Sequence, residues 1–121
     1  MAVERRSLAV LLALVLGASA ATQWWGHTTE RSQGERLAAL ARAGDIRMLS
    51  SETCVFCEAA RRWMTEHRVG FTECFIERDA QCQALYNATM ARGTPTLIVR
   101  GKVQLGFDAG RVLVAIEAAG D

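Results

Sequence analysis

Cys54-Val55-Phe56-Cys57 stands where a short apolar run meets a helical pattern, and that junction limits the possible folds more than any other feature of the chain. Ile46 to Leu49 reads as a strand. Glu58 to Arg68 reads as a helix with Ala59, Ala60, Trp63 and Met64 on one apolar stripe and Gly70 at its end. Phe71 to Ile76 is a second strand, so the cysteine pair lies inside a strand–helix–strand unit, which requires a parallel pair and a right-handed crossover. Asp79 is placed to cap another helix from Ala80 to about Arg92. Thr96 to Val99 and Val103 to Leu105 flank a turn at Arg100-Gly101-Lys102, which implies an antiparallel hairpin, and Arg111 to Ala119 is a closing amphipathic helix. An extra helix comes first: Ser32-Gln33-Gly34-Glu35 has the capping-box pattern, Leu37, Leu40 and Ala41 follow at helical spacing, and Gly44 suits its stop. The expected fold class is α/β, a four-stranded mixed sheet flanked by helices and preceded by that helix.

The position of the C-x-x-C gives it a chemistry. At a helix start the first backbone N–H groups lack partners and the dipole is positive, so a thiolate at Cys54 is stabilised. Cys57 lies one turn on, within reach of a disulfide to Cys54. The expected division is that Cys54 attacks a substrate disulfide and Cys57 resolves the mixed disulfide. Phe56 is expected to project beside Cys54 as an apolar platform for substrate. An inert disulfide or half of a zinc site are the alternatives for this pair.

The N-terminus reads as a targeting segment. Arg5 and Arg6 precede nine apolar residues, Leu8 to Leu16, and small residues follow from Gly17 to Ala21. That is a secretory signal with a cleavage site near Ala20 or Ala21. The rival is an uncut anchor: Ser7 to Trp25 is 19 residues without a charge, and Trp24-Trp25 suits the membrane interface. The expected organisation is residues 1–21 as signal peptide or anchor, 22–31 as linker and 32–121 as the folded domain. The domain is then exported, to the periplasm in a bacterium, and is either soluble after cleavage or tethered by residues 7–25. A net charge of +1 over 121 residues offers no basic face for nucleic acid, and the 50% apolar content excludes low-complexity disorder.

All four cysteines lie in the exported part, where an even count favours disulfides over metal. Cys74 falls in the second strand and Cys82 in the first turn of the next helix, with the chain reversing between them. A structural disulfide is the preferred reading, worth roughly 2–3 kcal/mol by loop closure. A second redox pair relaying electrons to Cys54 and Cys57, or a metal site joining all four sulfurs, are the alternatives.

Thr94-Pro95, with the only proline of the chain, opens the strand that begins at Thr96. A C-x-x-C at a helix start, followed about 40 residues later by Gly93-Thr94-Pro95 ahead of a hairpin, resembles the thioredoxin superfamily; the compact element order is similar to glutaredoxins. The run Gly93 to Val99, with Gly101, Gly106 and Phe107 behind it, also resembles exported disulfide-exchange (Dsb-type) domains. The resemblance covers roughly residues 45–119. It implies a glutaredoxin-sized thioredoxin-like fold in which Pro95 is cis and faces Cys54, and Thr94 and Pro95 offer backbone groups to the substrate peptide. It implies a thiol–disulfide oxidoreductase acting on protein thiols and disulfides, with no cofactor beyond its own cysteine pair and no metal. A membrane-embedded redox partner would reset it. A glutathione-dependent glutaredoxin, and a non-catalytic module holding a metal or partner, are the other readings.

The chain departs from the family in places. Val55-Phe56 between the cysteines is neither the Pro-Tyr, Gly-Pro nor Pro-His of its relatives. Glu52 just before the motif opposes a thiolate, and Arg61 and Arg62 on the helix partly offset it. Leu105-Gly106-Phe107-Asp108 keeps only part of the glutathione-contacting double glycine. Asp108 is expected to cap the last helix rather than meet a glutathione amine.

Overall fold

The computed structural model describes residues 2–119. Its element order is α1 (Ala2–Leu40), β1 (Ile46–Ser50), α2 (Val55–Glu66), β2 (Thr72–Phe75), α3 (Ala80–Ala88), β3 (Thr96–Val99), β4 (Lys102–Leu105) and α4 (Ala109–Ala119). The chain divides into two compact units, Met1–Ser32 and Gln33–Asp121.

The first unit is helical, and its described side chains are exposed. Residues 22–31, expected as a linker, are helical, and Ser32, expected as an N-cap, lies inside α1. The reason is local: no proline interrupts the segment, and the hydroxyls of Thr22, Thr28 and Thr29 donate back to carbonyls three or four residues earlier. A capping box has nothing to cap where the preceding turn stays helical. By length and composition, Glu4–Leu40 is apolar enough to cross a membrane.

The second unit is built on a four-stranded sheet of order β2-β1-β3-β4. β1 and β2 are parallel; β1–β3 and β3–β4 are antiparallel. Ile46 sits opposite Val99 and Met48 opposite Leu97, so alternate residues of the two central strands point into one core. Leu37 from α1, Ala60 and Met64 from α2, and Val112 and Ile116 from α4 complete it. Leu37, Met64, Val112 and Ile116, buried here, each contribute about 1.5–3 kcal/mol of transfer free energy.

Several ends differ from the expected ones for identifiable reasons. α2 begins at Val55 rather than Glu58, because Cys54 itself is the N-cap. It ends through Arg68, not Gly70. Arg68 takes a left-handed φ of 59°, its N–H bonds the Thr65 carbonyl at 3.2 Å, and the Val69 N–H bonds the Met64 carbonyl at 2.8 Å. α3 stops at Ala88 rather than near Arg92, since Thr89 caps it and Met90 turns left-handed at φ 61°. The hairpin turn is Arg100-Gly101, both with positive φ, as the tight primed turns require. Arg100 also donates to the Asp45 carboxylate at 3.1 Å and to the Ile116 carbonyl, which fastens the turn to the entry of β1 and to α4.

Candidate redox site

β1 ends at Ser50 and the chain needs four more residues to reach α2. Cys54 closes that loop in an extended conformation, φ −113° and ψ 105°, and its sulfur accepts the Cys57 backbone N–H at 3.0 Å. Cys54 and Cys57 are joined by a disulfide with Cα atoms 5.2 Å apart. Cys57 is fully buried while Cys54 is partly exposed, so an incoming group meets Cys54 first. The N–H that points at the sulfur in the disulfide would point at a thiolate after reduction, together with the other free N–H groups of the first turn.

A groove of about 420 Å³ runs beside the N-terminal half of α2. Phe56, Ala59 and Trp63 form one wall, and Thr94, Gly106 and Phe107 the other. The peptide bond before Pro95 is cis, and the buried Pro95 offers its carbonyl to the Gly106 N–H at 2.8 Å, which ties the Thr94 loop to the Gly106 turn. Trp63 shares the apolar stripe of α2 with Met64. Only Met64 is buried; Trp63 is half-buried in the groove wall, its ring 5.3 Å from Phe107 and 4.2 Å from His67. Val55 and Phe56 are 74% and 76% exposed, an apolar pair at the rim.

Cys74 and Cys82 are bonded to each other with Cα atoms 6.0 Å apart, linking β2 to α3. They do not line this groove. Asp108 accepts the Arg111 N–H at 2.9 Å and so caps α4. Among the described residues, no group of three or more His, Cys, Asp or Glu is arranged to hold a metal.

Arg61, Glu52 and Glu77 near the motif are paired with residues distant in sequence. Arg61 does not face the cysteines; it makes a two-point ion pair with Glu73, 2.7 Å at each contact, and Ser50 adds a 2.6 Å bond to the same carboxylate. Burial pushes the Glu73 carboxyl up, but the Arg61 and Ser50 bonds outweigh it and leave its pKa below the usual range. Glu52 pairs with Arg78, and Glu77 accepts from the Ser51 hydroxyl and from the Glu52 N–H at 3.1 Å. The partners of Ser50, Ser51 and Glu52 lie 23 to 26 positions further on, and the parallel pairing of β1 with β2 makes them neighbours.

Residues 46–104 match the family model for glutaredoxin. A search of curated proteins finds no match. Among solved structures, a single-substitution variant of the thioredoxin-like protein BC3987 is similar at a TM-score of 0.54 and 20% identity, covering 61% of this chain and 96% of that one. A mutated buckwheat glutaredoxin gives 0.51 and 13%, with 78% and 96% covered. A buckwheat glutaredoxin in complex with glutathione gives 0.50 and 14%, with 77% and 92% covered. The fold is thioredoxin-like, and residues 46–104 form a glutaredoxin-like redox domain built around the Cys54–Cys57 pair.

Proposed function

We propose that the domain is an exported thiol–disulfide oxidoreductase whose substrates are protein thiols and disulfides. The observation that carries this is the asymmetry of the pair: Cys54 is partly exposed at the N-cap of α2, and Cys57 is sealed one turn behind it. In the reducing direction the Cys54 thiolate attacks a substrate disulfide, and one substrate sulfur leaves as thiolate. The Cys57 thiol, deprotonated, then attacks the Cys54 sulfur and releases the second substrate sulfur; two electrons pass from the pair to the substrate. The oxidising direction is the reverse. Cys54 and Cys57 are the catalytic residues, and no metal or organic cofactor takes part. Phe56, Thr94 and Pro95 receive the substrate chain.

The groove favours a peptide over glutathione. Its lining side chains are apolar apart from Thr94, and a free tripeptide with two carboxylates and an ammonium finds no charge there. Asp108, the acid that would meet a glutathione amine, is engaged at the start of α4. The likeness to a glutathione-bound buckwheat glutaredoxin keeps glutathione as the second reading.

Residues 1–21 direct export. Retained, the apolar segment 7–25 tethers the domain beside a membrane-embedded electron carrier; removed, it leaves a soluble periplasmic domain of residues 32–121 behind a helical connection, 22–31. The Cys74–Cys82 bond is structural, holding β2 to α3.

The test is the reduction potential of Cys54/Cys57 in the full chain in detergent, by equilibration with glutathione buffers and mass-resolved thiol trapping. A potential near about −120 mV marks a disulfide donor, and one near about −270 mV a reductant that draws electrons from a partner. A pair that does not cycle overturns the proposal and leaves a binding module in its place.

A further inference from the structure

The loop that delivers Cys54 to the tip of α2 is held from one side. Ser50, at the end of β1, donates to Glu73 and accepts the Ile76 N–H at 2.9 Å. Ser51 donates its hydroxyl to Glu77, and the Glu52 N–H reaches the second oxygen of the same carboxylate. The Glu52 side chain is occupied by Arg78, whose guanidinium also lies 4.4 Å over the Phe75 ring. One segment, residues 73–78, therefore supplies a partner for each of the three residues that precede Thr53 and Cys54, and Cys74 anchors that segment to α3 through Cys82.

We infer that Glu77 is a positioning residue for Cys54: by gripping Ser51 and Glu52 at once it fixes the loop that sets the Cys54 sulfur against the first N–H groups of α2. The inference rests on the redox reading above and deepens it. Glu77 is solvent-exposed and lies outside the groove, so it does not touch substrate. The Ser51 hydroxyl bond keeps its carboxyl below the usual range, so at neutral pH it is ionised and accepts both bonds.

A carboxylate that grips the loop before a thiolate has two opposite effects. As a bare charge, with Glu52 and Glu58 beside the same helix start, it disfavours the thiolate, and removing it would lower the Cys54 pKa. As a clamp it holds the sulfur at the helix terminus, and removing it would raise the Cys54 pKa. The sign of the change separates the two.

The experiment measures the Cys54 pKa in the reduced full chain by the pH dependence of iodoacetamide alkylation, for wild type, Glu77→Ala and Glu77→Gln. The clamp is worth what a helix-terminus interaction is worth, so in Glu77→Ala the thiolate fraction at neutral pH falls roughly two- to fivefold. Glu77→Gln, neutral but with one acceptor oxygen left, lies between the other two. An unchanged or lowered Cys54 pKa in Glu77→Ala overturns the inference. Amide exchange at Glu52 provides a second measurement that needs no redox activity: Glu77→Ala speeds it several-fold if the clamp exists, and unchanged exchange overturns the inference. A pair that fails to cycle in glutathione buffers with this clamp present sinks the oxidoreductase reading alone.

Discussion

Cys57 presents two groups to Cys54, and they do different jobs. Its backbone N–H points at the Cys54 sulfur, and its thiol sulfur is the bond partner. A serine at position 57 keeps the first and removes the second. Cys57→Ser is therefore expected to form the mixed disulfide at Cys54 normally and fail to resolve it. Turnover of a protein disulfide falls by about a hundredfold or more, with a substrate adduct visible by mass spectrometry under non-reducing conditions. If the adduct instead accumulates on Cys57 in a Cys54→Ser variant, the roles are reversed. The placement of the pair at the start of α2 was legible in the sequence, because C-x-x-C at a helix start is a local pattern. The clamp around it was not. Glu73 and Glu77 are unremarkable acids until the parallel pairing of β1 with β2 puts them beside Ser50 and Ser51.

At the scale of elements, periodicity found every strand and helix of the second unit and both ends of β3, but missed the start and stop of α2 and the end of α3. The stripe Ala59, Ala60, Trp63, Met64 marks a helix face, yet it does not say which part of that face the sheet covers; Met64 is covered and Trp63 borders the open groove. The end of α2 shows a similar limit. Gly70 looked like the stop, while the left-handed seat falls to Arg68, whose side chain is exposed. An L-residue there costs about 1–2 kcal/mol in backbone energy, and glycine avoids that cost while losing some entropy. Arg68→Gly is expected to raise unfolding stability by about 0.5–1 kcal/mol in urea titration, with Arg68→Ala near wild type. A loss of stability in Arg68→Gly would mean that the arginine side chain, and not its backbone, secures the end of the helix. α1 fails in the other direction: polar composition suggested a break at 22–31, but composition without a proline does not end a helix whose threonines bond to its own carbonyls.

At the scale of the whole folded unit, two ion pairs fasten helices and turns to the sheet. Arg61–Glu73 joins α2 to β2, and Arg100–Asp45 joins the β3–β4 turn to the entry of β1, with Arg100 reaching α4 as well. Both carboxylates are held below their ordinary range. For Asp45 the Arg100 hydrogen bond is the main cause and the Arg42 N–H the next. A carboxylate whose folded pKa is depressed adds stability that is complete above its unfolded pKa, about 4, and is lost as pH falls through the lower folded value. Unfolding free energy is therefore expected to stay level between about pH 5 and 8 on account of these groups and to decline below about pH 4. Asp45→Asn provides the control. It keeps the size of the side chain, loses the charge opposite a largely buried guanidinium, and is expected to cost about 1–3 kcal/mol at pH 7. Its deficit against wild type should shrink as the pH falls below about 4, because unfolded wild-type Asp45 then binds a proton that the folded state resists. Urea titrations of both proteins across that range decide it: a deficit that stays constant down to pH 2.5 would show that the Asp45 charge does not hold the turn, and that the bond from the Arg42 N–H to this side chain is what matters.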